Sequence, residues 1–338
     1  MNIEKNISLK NNNTFGIDVL AKRFAQIYDE EGLKELLSRE DIKGDSKLVM
    51  GGGSNILFTK DYDGIVLKNS IPGISIIFED EKHCLVKAGA GVIWNDLVLF
   101  AIEKNLGGIE NLISIPGTVG AAPVQNIGAY GEELKNTFHS LKGILLESAQ
   151  ETILDKEECK FAYRDSIFKN ELKGNIIITY VILQLNKNPQ PVFNYGMVKN
   201  ELEKSHKEIY TIKDVSDIIA SIRDEKLPNP TFIGNAGSFF HNPEIDKIRF
   251  LELKKEHPEM PGFTTPHDMV KVPAGWLIEK CGWKGKRIKD VGVHEKQALV
   301  LINYGNASGQ DILSLAYEIK ISVLKTFGIE LTEEVNIY

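Results

Sequence analysis

With 338 residues, 42% of them hydrophobic and 26% charged, the chain is too long for one ordinary domain and has the composition of a globular protein. Its formal charge of −7 argues against a nucleic-acid or anionic-membrane surface, which needs a basic patch. Cys84, Cys159 and Cys281 are odd in number and far apart, which excludes a disulfide framework or a zinc ribbon and fits a reducing compartment.

The first eighteen residues are polar and lack the apolar run of a signal peptide, and no window approaches the apolar length of a membrane span, so a cytoplasmic protein is expected. Residues 1–13, rich in Asn and Lys, read as an arm or an edge segment. Apolar residues from Val19 to Leu37, interrupted by Gly32, predict a short strand and then a short helix. Lys47–Met50 and Ile56–Phe58 are strand-like and flank the turn Gly51-Gly52-Gly53-Ser54-Asn55. Further strands are predicted at Ile65–Leu67, Ile74–Phe78 and Cys84–Ala88, and a helix from Trp94 to Leu106, stopped by Gly107-Gly108.

Residues 109–131 are dense in small side chains, so their backbone must lie against something. Strands follow at Leu141–Leu146 and Ile176–Leu185, and Asn186–Pro191 reads as a linker and domain boundary. Ile212–Arg223 is an amphipathic helix ended by Pro228 and Pro230. Ser308-Gly309-Gln310-Asp311 forms a capping box that opens a long helix closed by Gly328, and Ile329–Tyr338 is a final strand. Short strands mixed with a few helices, without regular βαβ alternation, predict an α+β fold.

Neither Gly51-x-Gly53, with Ile56 at the third glycine position, nor Gly89-Ala90-Gly91, with Trp94 there, keeps a dinucleotide fingerprint, and no P-loop is present. Two glycine-rich segments some sixty residues apart nevertheless suit a long ligand that needs backbone contact along its length, such as FAD. Tight packing of two loops is the other reading. In Gly234-Asn235-Ala236-Gly237-Ser238-Phe239-Phe240-His241-Asn242 a serine stands among small residues, as if presented to a pocket. G-x-S-x-G is absent there and no histidine is placed to activate Ser238 as a hydrolase nucleophile. No His, Cys or carboxylate cluster has ligand spacing, so no metal is expected.

The ordered set Gly51–Phe58, Ile115–Gly131, Tyr163-Arg164-Asp165-Ser166 and Gly234–Phe240 resembles the UDP-N-acetylenolpyruvoylglucosamine reductase family over essentially the whole chain, from Asn13 to Glu334. The resemblance implies an FAD-binding domain of the vanillyl-alcohol-oxidase type across roughly 16–188, with subdomains at 1–70 and 71–205. A C-terminal α+β substrate-binding domain at 206–338 would follow, its last strand returning to the FAD domain. It implies that NADPH reduces the flavin, which reduces the enolpyruvyl group to yield UDP-N-acetylmuramate for peptidoglycan, in a monomer without nucleic-acid or membrane partners.

The same resemblance places FAD against Gly51, Gly52, Gly53, Ser54 and Asn55, and against Pro116, Gly117, Gly120, Ala121, Gln125, Asn126, Gly128, Ala129 and Tyr130. Ala121-Ala122 stand where some members carry hydroxyls, leaving backbone N–H groups as the donors there. Ser238 is implied as proton donor, Arg164 as the cation on the substrate carboxylate, and Glu334 as the acid that polarises that carboxylate or positions the donor. Tyr195, in Asn194-Tyr195-Gly196, matches a lid residue of the form with a tyrosine loop, and Lys226, Asn242 and Gln297 match diphosphate contacts. The plainer readings are a turn-packing aromatic for Tyr195, a solvated helix-end charge for Lys226, and a structural ion pair for Arg164 and Glu334. An FAD-dependent alcohol or sugar oxidase on the same fold, or a non-catalytic nucleotide-sugar binder, are the competing functions; neither requires Arg164, Ser238 and Glu334 as a set.

Overall fold

The computed structural model describes residues 2–193, 195–204, 207–265 and 268–338. The chain forms two compact units: the first takes in the residues up to Ile7, Ala21–Gly52 and Asp63–Arg223, the second Ser8–Leu20, Gly53–Tyr62 and Asp224–Tyr338. Asn186–Pro191, read as a boundary, lies inside the first unit, which runs on to Arg223. Ser205 and His206, where another boundary was expected, lie outside the described residues.

Two sheets make the first unit. One orders Glu4–Ser8, Leu20–Ile27, Tyr62–Asn69 and Lys47–Met50, so the N-terminal arm is indeed an edge strand; Leu48 pairs with Val66 in the parallel step. The other is antiparallel and orders Glu151–Asp155, Phe138–Leu145, Ile176–Asn186, His83–Gly89 and Ile74–Glu79. Side chains alternate across a strand, so its β-branched run serves two cores. Ile176 and Ile178 join Val86, Leu97 and Trp94, while Ile177 joins Ile144, Leu33 and Leu67.

Two helices of this unit depart from expectation at their ends. Gly32 does not interrupt: the helix Glu30–Leu37 begins before it, and the Asp29 side chain accepts from the Gly32 amide at 2.7 Å as an N-cap. The helix expected to reach Leu106 ends at Glu103, with Asn105 left-handed at φ 52°, because Gly107 is drawn into a bridge with Asn186. Trp94, which opens that helix, is fully buried and donates its indole N–H to the Leu112 carbonyl at 2.9 Å.

In the second unit a four-stranded sheet orders Gly234–Ser238, Val300–Asn303, Val291–Val293 and Arg287–Ile288, none of the last three being legible from periodicity. The helix Gly309–Phe327 opens on the Ser308–Asp311 capping box and closes on Gly328 at φ 66°. It buries the stripe Ile312, Leu315, Ala316, Ile319, Val323 and Phe327. Of the final strand only Asn336–Ile337 forms a ladder. Its partner is Ile56–Leu57 in parallel, within the 1–70 span and clustering with this second unit.

Candidate active site

Within the first unit the two glycine-rich segments meet. A Cβ at Gly51 would overlap the Thr118 hydroxyl, one at Gly52 would stand 3.2 Å from the Gly117 Cα, and one at Gly120 would meet the Ala90 Cβ at 2.5 Å. Only glycine permits this approach. The Thr118 hydroxyl is buried and makes no hydrogen bond. An orphaned donor inside a cradle closed to Cβ atoms fits the pyrophosphate of FAD, whose oxygens would satisfy it. Of the backbone donors expected at Ala121-Ala122, the Ala121 amide already donates to Thr118 O, as the neighbouring Val119 and Gly120 amides do to Val92 O and Ala90 O. Thr118 carries a hydroxyl three residues before Ala121. Thr118 was overlooked in the sequence, although it is the one hydroxyl between Ile115 and Tyr130.

Downstream, the 3₁₀ turn Val119–Gln125 ends on Asn126 at φ 43°. Asn126 is fully buried and its carboxamide is spent on structure, donating to Glu133 Oε2 and Ala162 O and accepting from Lys135 N. Gly128 carries its carbonyl to Arg164, whose Nη2 donates to it at 2.6 Å. Arg164 itself is left-handed at φ 53°, as are Ser114 at 58° and Tyr130 at 49°. A non-glycine residue in this region costs about 1–2 kcal/mol, so the segment holds stored strain.

The Tyr195 ring stands edge-on to Tyr130, with centroids 5.5 Å apart. Burial raises the Tyr130 phenol above its ordinary pKa. Asn111 donates from one carboxamide to both Tyr130 O at 3.1 Å and Val192 O at 3.0 Å, tying the tyrosine loop to the glycine segment; Asn194 lies outside the described residues. Arg223 donates to Ser114 O at 3.1 Å and bonds the Tyr130 side chain. Neither Asn111 nor Arg223 was a candidate from sequence. Both became visible only through the fold.

The second unit holds Ser238, Glu334, Lys226, Asn242 and Gln297. Ser238 ends its strand opposite Val300, just after a register shift that follows Asn235. Gly237 is left-handed at φ 70° with open space around it, which is how the turn frees the serine. Asn235 is buried and holds the bulge with three bonds: its Nδ2 donates to Pro228 O at 3.1 Å and Ile233 O at 2.9 Å, and its Oδ1 accepts from Gly237 N at 3.0 Å. Phe239 and Phe240 anchor the turn, and Phe239 meets Phe15 edge-on at 6.4 Å.

Glu334 enters from the tail. Its amide donates to Phe239 O at 2.8 Å, and its carbonyl accepts from the Asn55 side chain at 3.3 Å. Gly53 sits beside Asn12 and Asn13 at φ 65°, where a Cβ would overlap a backbone carbonyl. Asn242 Oδ1 accepts from Ala274 N at 2.9 Å, at the start of the helix Ala274–Lys280, which turns the NH₂ end of the amide away as the free donor. Gln297 Oε1 accepts from Leu299 N at 3.3 Å and packs by Gly275. Lys226 is the last residue of the helix Ile212–Lys226. Burial lowers the His294 pKa.

Residues 21–155 match the profile of an FAD binding domain, and residues 229–338 that of the UDP-N-acetylenolpyruvoylglucosamine reductase C-terminal domain. The chain is 48% identical to the UDP-N-acetylenolpyruvoylglucosamine reductase of Flavobacterium johnsoniae over 338 residues, all of both chains. It is 47% identical to that of Amoebophilus asiaticus, covering 100% of this chain and 99% of the relative. The crystal structure of the reductase from Thermus caldophilus superposes with a TM-score of 0.69 at 23% identity, covering 100% of this chain and 99% of that one, a likeness of fold. Among the described residues no helix is long and apolar enough to cross a membrane.

Proposed function

The chain belongs to the UDP-N-acetylenolpyruvoylglucosamine reductase family, an FAD-dependent oxidoreductase of peptidoglycan precursor synthesis, and from that premise we propose the roles of its residues. It works as a cytoplasmic monomer with NADPH as reductant and UDP-N-acetylenolpyruvoylglucosamine as substrate. Gly51, Gly52, Gly117 and Thr118 would hold the pyrophosphate of FAD, and the bound cofactor would supply hydride transfer through its flavin.

Reduction of the enol ether places a hydride on the terminal methylene carbon and a proton on the carbon that bears the ether oxygen. Between the two additions negative charge gathers on the substrate carboxylate. Arg164 meets that charge with a planar guanidinium, favouring the transition state over the ground state. Ser238 delivers the proton; a hydroxyl is a weak acid, but the carbanion-like centre is a much stronger base. Glu334 faces the same carboxylate as a protonated or paired acid, since two bare carboxylates would repel. The Asn242 amide donors, Lys226 and Gln297 take the diphosphate, and Tyr195 covers it.

The observation that supports this reading most is the placement of Arg164. It is held in a strained backbone conformation with its guanidinium fixed to Gly128 inside the segment expected to bind FAD. Anaerobic half-reactions of Ser238→Ala test the assignment. Flavin bleaching by NADPH stays within twofold, while reoxidation by the enolpyruvyl substrate slows by roughly 10²–10⁴. Equal losses in both halves contradict the role of Ser238.

A further inference from the structure

We propose that His241 is a positioning residue for Glu334, its imidazolium offsetting the carboxylate charge so that Glu334 can stand beside an anionic substrate. The inference rests on the role given to Glu334 above. Phe240 bridges Glu333, the Glu334 amide donates to Phe239 O, and the His241 amide donates to Thr332 O. In that antiparallel register His241 and Glu334 are diagonal neighbours on one face. Their side chains meet: Nδ1 lies 3.6 Å from the Glu334 carboxyl oxygen, with the side chains only 24% and 13% exposed. Glu333, on the opposite face, is taken by Lys320 at 2.8 Å and does not compete for the imidazole.

A carboxylate this far from water requires a partner, and a second carboxylate arriving with the substrate makes the requirement sharper. A protonated imidazole at this distance offsets the Glu334 charge as the substrate carboxylate arrives. The imidazole fixes where the carboxyl points; it touches neither substrate nor flavin in this role. The acid it meets is not among its neighbours in the chain. Its partner is ninety-three residues away.

The test uses the full-length, FAD-loaded protein with His241→Gln, His241→Phe and His241→Lys, alone and combined with Glu334→Gln. Flavin reduction by NADPH and anaerobic reoxidation by the enolpyruvyl substrate are followed separately. His241→Phe and His241→Gln should slow reoxidation about tenfold or more while leaving NADPH reduction within twofold. His241→Lys, which restores a cation, should recover most of the rate. With Glu334→Gln already present, His241→Gln should add less than a further twofold loss. The proposal is overturned if the two losses multiply, if Lys rescues no better than Phe, or if reoxidation is untouched in both His241→Gln and His241→Phe. A harmless Glu334→Gln overturns the role of Glu334 itself and the proposal with it; a slow Glu334→Gln beside a normal His241→Gln overturns the proposal alone.

Discussion

In the first unit, Gly51, Gly52, Gly117 and Gly120 shape a cradle by having no side chains, and the groups around it are mostly carbonyls and amides bonded to one another. In the second unit the serine turn is shaped by side chains: Asn235 bridges its bulge with three bonds, and the Glu334 backbone is steadied by Asn55. A cradle made of absent side chains tolerates changes in polarity but not in volume. A turn made of carboxamide bonds tolerates volume but not the loss of a donor or acceptor.

The largest expected effect breaks the cradle by a single methyl group. Gly51→Ala places a Cβ on the Thr118 hydroxyl and should weaken FAD retention by about 3 kcal/mol, on the order of 100-fold, measured by flavin titration of the apoprotein. Adding Thr118→Ala leaves the new Cβ 3.4 Å or more from its neighbours, an ordinary contact, and should return part of that affinity. If Gly51→Ala binds FAD like the parent, volume is not what the first unit guards.

Asn235→Ala attacks the other material. It leaves the Gly237 amide and two carbonyls without their bonds and should cost about 2 kcal/mol in denaturant unfolding, with a matching fall in kcat. A loss of stability with kcat unchanged would show that the bulge does not place Ser238.

The smallest effect probes a side-chain exception within the first unit. Glu110 is buried, its Oε2 accepting from Gly108 N at 2.6 Å, and burial raises its pKa. The folded state thus holds this proton more tightly than the unfolded chain. The stability it contributes is present below the ordinary glutamate pKa and is lost as pH rises through the raised one. Glu110→Gln should therefore melt higher than the parent at neutral pH, by about 1 kcal/mol or a few degrees, the difference closing towards about pH 4. A lower melting temperature at pH 7 would mean that the fold favours the charged form of Glu110.

Strong local signals survived into the structure. The capping box at Ser308, the strand Ile176–Asn186 and the serine turn with its left-handed glycine were legible because the information lies within a few residues. The misread ends have tertiary causes: Gly32 is tolerated because its amide is capped by Asp29, and the helix from Trp94 stops where the sheet claims Gly107. Family likeness supplied Arg164, Ser238 and Glu334 as names. It did not supply Thr118, Asn111, Arg223 or His241, each of which matters through a partner far away in the chain. The hairpin Arg287–Val293 and the ladder at Val300–Asn303 were missed for a related reason, since short strands carry too few residues to show a period.

With the role proposed above, the left-handed backbone of Arg164 sets selection for stability against selection for chemistry at one codon. Glycine would relax the backbone there and give up the cation; lysine would keep a charge, lose the planar fork, and inherit the same strain. Neither neighbour is an improvement on both counts. A lineage under pressure to become more thermostable would find a gain there that the role proposed for Arg164 forbids.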